Sequence, residues 1–164
     1  MEHELVLLAN QVLSAFKKRG LSLAVAESIT GGLIGHLLTE VPGSSDVFVG
    51  GSIVYDNRLK EQLGVPRHTL ETDGAVSEAT AKAMAEGIRG KTDADVGVAV
   101  TGIAGPGGGT KAKQVGLTYV AVADDRGVVS EAHIWRADRS TNKLLTAQAA
   151  LRLLLARVDT RSES

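Results

Sequence analysis

Three apolar runs, residues 21–26, 47–55 and 96–100, are each preceded by a segment whose apolar residues recur at helical spacing. That alternation most restricts what the chain can become. Strands separated by helices favour a parallel sheet, and such a sheet needs helices on both faces. The first helical segment carries Leu5, Leu8, Val12 and Phe16, with Lys17, Lys18 and Arg19 in its last turn and Gly20 as a stop. Thr30-Gly31-Gly32 opens a short helix through Leu38, and Pro42-Gly43-Ser44-Ser45 is a turn. A further short helix is predicted over 58–63, closed by Gly64, while His68 falls in a loop after Pro66. Ser77 is the expected cap of a helix that reaches Arg89 and ends at Gly90. The pattern then changes. Runs 115–123 and 128–135 are joined by Asp124-Asp125-Arg126-Gly127, a link short enough for an antiparallel hairpin. A last helix over 140–158 precedes a polar tail, 159–164. The prediction is one α/β domain over 5–158: three layers, α/β/α, with a mixed, mostly parallel five-stranded sheet and a late antiparallel hairpin.

Composition narrows function by exclusion. The chain has 164 residues, enough for one core. Its 43% hydrophobic and 23% charged content is that of a folded domain, not a disordered one. A net charge of −1 supplies no field toward nucleic acid or anionic lipid. Aromatics at 3% leave too few rings for a base-stacking platform, so no nucleic-acid partner is expected. With no cysteine, disulfides, thiolate metal sites and a Cys nucleophile are all out. No apolar run approaches the roughly 20 residues that cross a bilayer, so no membrane is expected. The acidic start Met1-Glu2-His3-Glu4 does not read as a signal peptide, and the expected location is cytoplasmic. His3, His36, His68 and His133 are scattered without ligand spacing, so neither a metal nor another cofactor is expected.

In an open α/β sheet, ligands bind beyond the carboxyl ends of the strands. Three strand ends carry unusual residues here: Glu27-Ser28-Ile29-Thr30-Gly31-Gly32, Tyr55-Asp56-Asn57-Arg58-Leu59-Lys60, and the glycine loop over 101–110. If the first three strands are parallel, these loops meet at one edge. Ser28 is then either an ordinary helix cap or a nucleophile, and the amides around Thr30, Gly31 and Gly32 could face an oxyanion or phosphate. A serine nucleophile needs a base. Lys60 serves if burial lowers its pKa, and is otherwise a solvated helix lysine; His68 and His133 stay open as alternatives. Tyr55 either supports this pair with its hydroxyl or simply ends a strand. Of 19 glycines, five lie between Gly102 and Gly109. Together with Thr101, Gly102, Gly105, Gly108 and Gly109 are candidates to cradle a phosphate. The loop is not a Walker A motif, because Gly109-Thr110-Lys111 has the wrong order. Nor does it open the helix of a dinucleotide fingerprint, although Asp124 falls near where a ribose-binding acid would stand.

Four ordered segments, Ala26-Glu27-Ser28-x-Thr30-Gly31-Gly32, Tyr55-x-Asn57-x-x-Lys60, Gly74-Ala75-Val76-Ser77 and Thr101-Gly102-Ile103-Ala104-Gly105-Pro106-x-Gly108-Gly109, together resemble the C-terminal domain of the CinA (competence/damage-inducible) proteins. Stand-alone relatives of that domain are nicotinamide-nucleotide amidohydrolases. The resemblance implies a metal-independent Ser/Lys amidohydrolase that converts nicotinamide mononucleotide to nicotinate mononucleotide and ammonia in pyridine-nucleotide salvage. It makes Ser28 the nucleophile, Lys60 its base and Tyr55 a supporting hydroxyl. It assigns the glycine loop to the substrate phosphate, and Arg139, at the end of the family's Gly-Asp-Arg signature, to phosphate or scaffold. It also implies a homodimer. Ala137 stands where relatives carry Gly, and Lys143 where many carry Arg. The rival expectation is a non-catalytic nucleotide-binding or competence/DNA-repair partner module of the same fold.

Overall fold

The computed structural model describes residues 1–160. In chain order the elements are α1 (Glu2–Lys18), β1 (Leu23–Glu27), α2 (Leu33–Thr39), a 3-10 turn (Ser44–Asp46), β2 (Phe48–Ile53), α3 (Asn57–Leu63), α4 (Arg67–Thr72), α5 (Glu78–Thr92), β3 (Val96–Gly102), β4 (Leu117–Asp124), β5 (Gly127–Ile134) and α6 (Arg139–Asp159). The five strands form one sheet in the order β2-β1-β3-β4-β5. β1 pairs in parallel with β2 and β3, whereas β4 is antiparallel to β3 and to β5. Four strands therefore share one direction and β4 alone opposes them, as a mixed, mostly parallel sheet requires.

Alternation along β1 explains the layers. Leu23 and Val25 face one side and pack with Leu5, Val12 and Phe16 of α1, Leu37 of α2 and Leu151 of α6. Ala24 and Ala26 face the other and pack with Leu63 of α3 and Ala81, Met84 and Ile88 of α5. The second face is built from small residues, so its helices lie close. A Cβ on Gly87 of α5 would sit 2.4 Å from the Leu63 carbonyl of α3. Glycine there lets the helix that carries Lys60 rest directly on α5.

Several boundaries differ from the sequence expectation. α5 continues through Gly90 to Thr92 and stops at Asp93, in the left-handed region at φ 57°. Gly90 is an open position, and one helical glycine costs only about 1 kcal/mol against the packing of Met84 and Ile88. His68 lies in α4, a helix whose single large apolar residue, Leu70, gave no period to read. β2 stops at Ile53, although the Val54 amide still donates to the Glu27 carbonyl at 2.8 Å. α6 runs one residue past 158, and residues 161–164 of the expected tail lie outside the described residues. Asp124 is buried at the sheet edge opposite the strand ends of β1 and β3. There it accepts from Arg126 and Arg157 at 2.9–3.1 Å, which makes it a structural ion pair rather than a ribose ligand. Among the described residues, no helix is long and apolar enough to cross a membrane.

Candidate active site

Because β1, β2 and β3 are parallel, their carboxyl ends bring the three unusual loops to one edge. The last strand residue, Glu27, points toward α2, and the next, Ser28, points to the opposite face, toward α3. Glu27 is 2% exposed. Its carboxylate accepts from Thr30 Oγ1 at 2.5 Å and from the amides of Gly32, Ile34 and Gly35 at 3.2, 2.9 and 2.9 Å. Glu27 therefore caps α2, and the Ser28 hydroxyl is free of that duty. The Gly31 amide donates to the Ser28 carbonyl at 3.2 Å. As placed, the Thr30 hydroxyl and the Gly31 and Gly32 amides serve the turn, and none of these residues lines the cavity described below.

α3 supplies the second group. The Asp56 side chain caps it by accepting from the Arg58 amide at 2.8 Å, and Lys60 falls one turn in. Lys60 is 1% exposed. Its Nζ lies 3.0 Å from Ser28 Oγ, 2.7 Å from the Val54 carbonyl and 2.8 Å from the Tyr55 carbonyl. An ammonium has three N–H donors, and here each has one acceptor. When the amine is neutral, the two carbonyls hold its two N–H bonds and the remaining direction, its lone pair, faces Ser28 Oγ. Burial lowers the Lys60 pKa from 10.5 to about 8, partly opposed by the nearby Asp56 carboxylate. About a tenth of the amine is then neutral at pH 7.

Beyond this pair lies a cavity of about 370 Å³ that Ser28, Lys60 and Tyr55 line together with Thr101, Gly102, Gly105, Gly108 and Arg139. Gly109 is not part of the lining. Tyr55 meets Lys60 through its carbonyl, while its side chain is exposed at the cavity mouth. Two side chains of α6 anchor the glycine loop. Arg139 Nη1 donates to the Gly105 carbonyl at 2.8 Å, leaving other guanidinium donors for a ligand. Asn142 is fully buried and donates to the Ala104 and Ala137 carbonyls at 3.0 and 3.1 Å. Gly105 takes φ +84°, a conformation that keeps side chains out of this turn. Lys60 and Arg139 are the charged residues of the lining, so the cavity favours an anionic ligand.

The two histidines left open as bases are elsewhere. His68 lies beside Thr72 on α4, and His133 stacks on Trp135 and pairs with Glu131. Sequence reasoning gave no role to the Glu27 cap, the Asn142 anchor or the lining residues Ala75 and Val76. Asn142 left one trace, a polar residue on the inward face of a Leu- and Ala-rich helix.

A three-layer α/β domain with a buried Ser–Lys pair at the carboxyl edge of its parallel strands is the class that fold and site define. The family model of the CinA C-terminal domain matches residues 6–158, and the chain belongs to that family. It is 56% identical over 121 residues, 73% of the chain, to a CinA-like protein of Synechococcus sp. (strain RCC307) and 47% identical over 159 residues, 93% of the chain, to a CinA-like protein of Chlorobaculum tepidum. Those matches cover 29% and 38% of the relatives, so the chain spans about a third of the length of the curated relatives it matches. The crystal structure of competence/damage inducible protein CihA from Agrobacterium tumefaciens superposes with a TM-score of 0.92 at 42% identity, covering 95% of this chain and 96% of that one.

Proposed function

We propose that the domain is an amidohydrolase that converts nicotinamide mononucleotide to nicotinate mononucleotide and ammonia. The observation that carries this reading is the Lys60 amine, held by two carbonyls so that its third direction meets Ser28 Oγ at 3.0 Å. Neutral Lys60 takes the Ser28 proton as Oγ attacks the carboxamide carbon. The tetrahedral intermediate collapses, the C–N bond breaks, and the Lys60 ammonium returns the proton to the departing nitrogen as ammonia. Water then attacks the Ser28 ester and gives a proton to Lys60. Lys60 passes it to Ser28 Oγ as the acid leaves.

The substrate's chemistry suits the cavity. The pyridinium charge activates its carboxamide toward attack. Its phosphate would complement the positive charge of Arg139, which lines the cavity with Gly105 and Gly108, and this supports the reading. Tyr55 lines the cavity and its side chain is exposed, so its hydroxyl is free to turn toward the substrate.

The test is ammonia release from nicotinamide mononucleotide by the purified chain, with Ser28→Ala and Lys60→Ala alongside and folding checked by circular dichroism. Each variant should lose at least about 1,000-fold in kcat/KM. Undiminished turnover by Ser28→Ala would end the nucleophile assignment. Tight binding without ammonia release by the wild type would instead indicate a nucleotide-binding module.

A further inference from the structure

Attack by Ser28 puts negative charge on the substrate's carbonyl oxygen, and the rate depends on donors already aimed at that atom. In the turn after Ser28, four amides are already engaged. Its Gly31 amide donates to the Ser28 carbonyl, and those of Gly32, Ile34 and Gly35 donate to Glu27. The segment before α5 is different. Ser77 Oγ and Thr80 Oγ1 donate to the Gly74 carbonyl at 2.9 and 2.7 Å, and Thr101 Oγ1 donates to the Ala75 carbonyl at 2.8 Å. Three hydroxyls thus fix two successive peptide planes. In a trans peptide the N–H points away from the carbonyl of the same unit, and these units are trans. With the Gly74 and Ala75 carbonyls held by hydroxyls, the amides of Ala75 and Val76 face the other way. Both residues line the Ser28 cavity, and among the described residues neither amide has an acceptor.

The sheet register sets this segment beside the nucleophile. Glu27 pairs with Val100, so Ser28 and Thr101 each follow a paired residue on neighbouring strands, and both line the cavity. Thr101 in turn grips Ala75. We propose that the Ala75 and Val76 amides form the oxyanion site of this domain and that Thr101 is the positioning residue that aims them. The inference rests on the amidohydrolase reading above for its substrate, and on the Ser28–Lys60 geometry for its nucleophile.

A fluorophosphonate probe tests it without depending on the natural substrate. Ser28 Oγ displaces fluoride from phosphorus, its proton passes to Lys60, and the phosphoryl oxygen takes the oxyanion's position. Thr101→Val should be labelled at least about tenfold more slowly than wild type, with Thr101→Ser restored to within about threefold. With nicotinamide mononucleotide, Thr101→Val should lower kcat while KM stays within about twofold. A Thr101 that only touched substrate would raise KM and leave labelling unchanged, which overturns the proposal. Should Thr101→Val fail to fold, Thr80→Val loosens the same segment from the Gly74 side and should slow labelling several-fold. Wild-type labelling rates in the folded variants also overturn it. A wild type that is labelled yet leaves nicotinamide mononucleotide intact refutes the substrate reading alone. A wild type not labelled at Ser28 refutes both.

Discussion

A buried lysine carries an energetic signature apart from its chemistry. Lys60 is closed off from solvent and its amine prefers the neutral form more than it would in the unfolded chain. Its folded pKa, about 8, lies below the ordinary lysine value of 10.5. Below pH 8 the amine is charged in both states and the fold bears the full cost of burying it. Between pH 8 and 10.5 the unfolded chain holds the proton that the folded one has released, so stability rises with pH in that window. Measured by urea unfolding, the stability of wild type relative to Lys60→Met should therefore improve by about 2–3 kcal/mol between pH 7 and pH 10. A difference that stays constant with pH would mean that Lys60 titrates as an ordinary exposed lysine.

At the scale of the element, the Ser28 turn depends on Glu27. α2 has 7 residues, too few to persist without tertiary support, and four donors at its start converge on one carboxylate. In Glu27→Gln one acceptor oxygen becomes an N–H donor and faces a donor it cannot satisfy. The substitution should destabilise the domain by about 1–3 kcal/mol and speed hydrogen exchange in α2, read by mass spectrometry. Unchanged exchange there would remove Glu27 from the scaffold. The strand ends were legible because apolar runs bounded by glycine and serine carry their own signal. α4 was not, because Leu70 alone gives no period. Nor was the choice between cap and nucleophile at Ser28, which depends on Glu27 and Ser28 facing opposite sides of β1. The pairing of Ser28 with Lys60, 32 residues away, came from the resemblance of four ordered segments, since no local pattern encodes a contact made across the β1–α2–β2 crossover. The absence of a helix after the glycine loop already argued against a ribose role for Asp124, and the reversal of β4 carries that residue to the far edge.

Across the whole molecule, the small-residue face of the sheet sets the distance between Lys60 and Ser28. α3 approaches α5 closely because Gly87 has no side chain, and Lys60 sits one turn before the Leu63 carbonyl that occupies that space. Gly87→Ala should push α3 outward. It is expected to lower thermal stability by about 1–3 kcal/mol and to reduce kcat more than KM, because the Lys60–Ser28 contact lengthens while the glycine-loop end of the cavity stays in place. A variant with wild-type kcat would show that α3 tolerates the shift.

The dyad itself is tested most directly by the pH dependence of kcat/KM for nicotinamide mononucleotide. The free-enzyme profile should rise with pH as Lys60 loses its proton, with a midpoint near 8, and level off above it. A profile that is flat from pH 6 to 10, or one whose midpoint falls near the histidine range, would contradict a lysine base at Ser28.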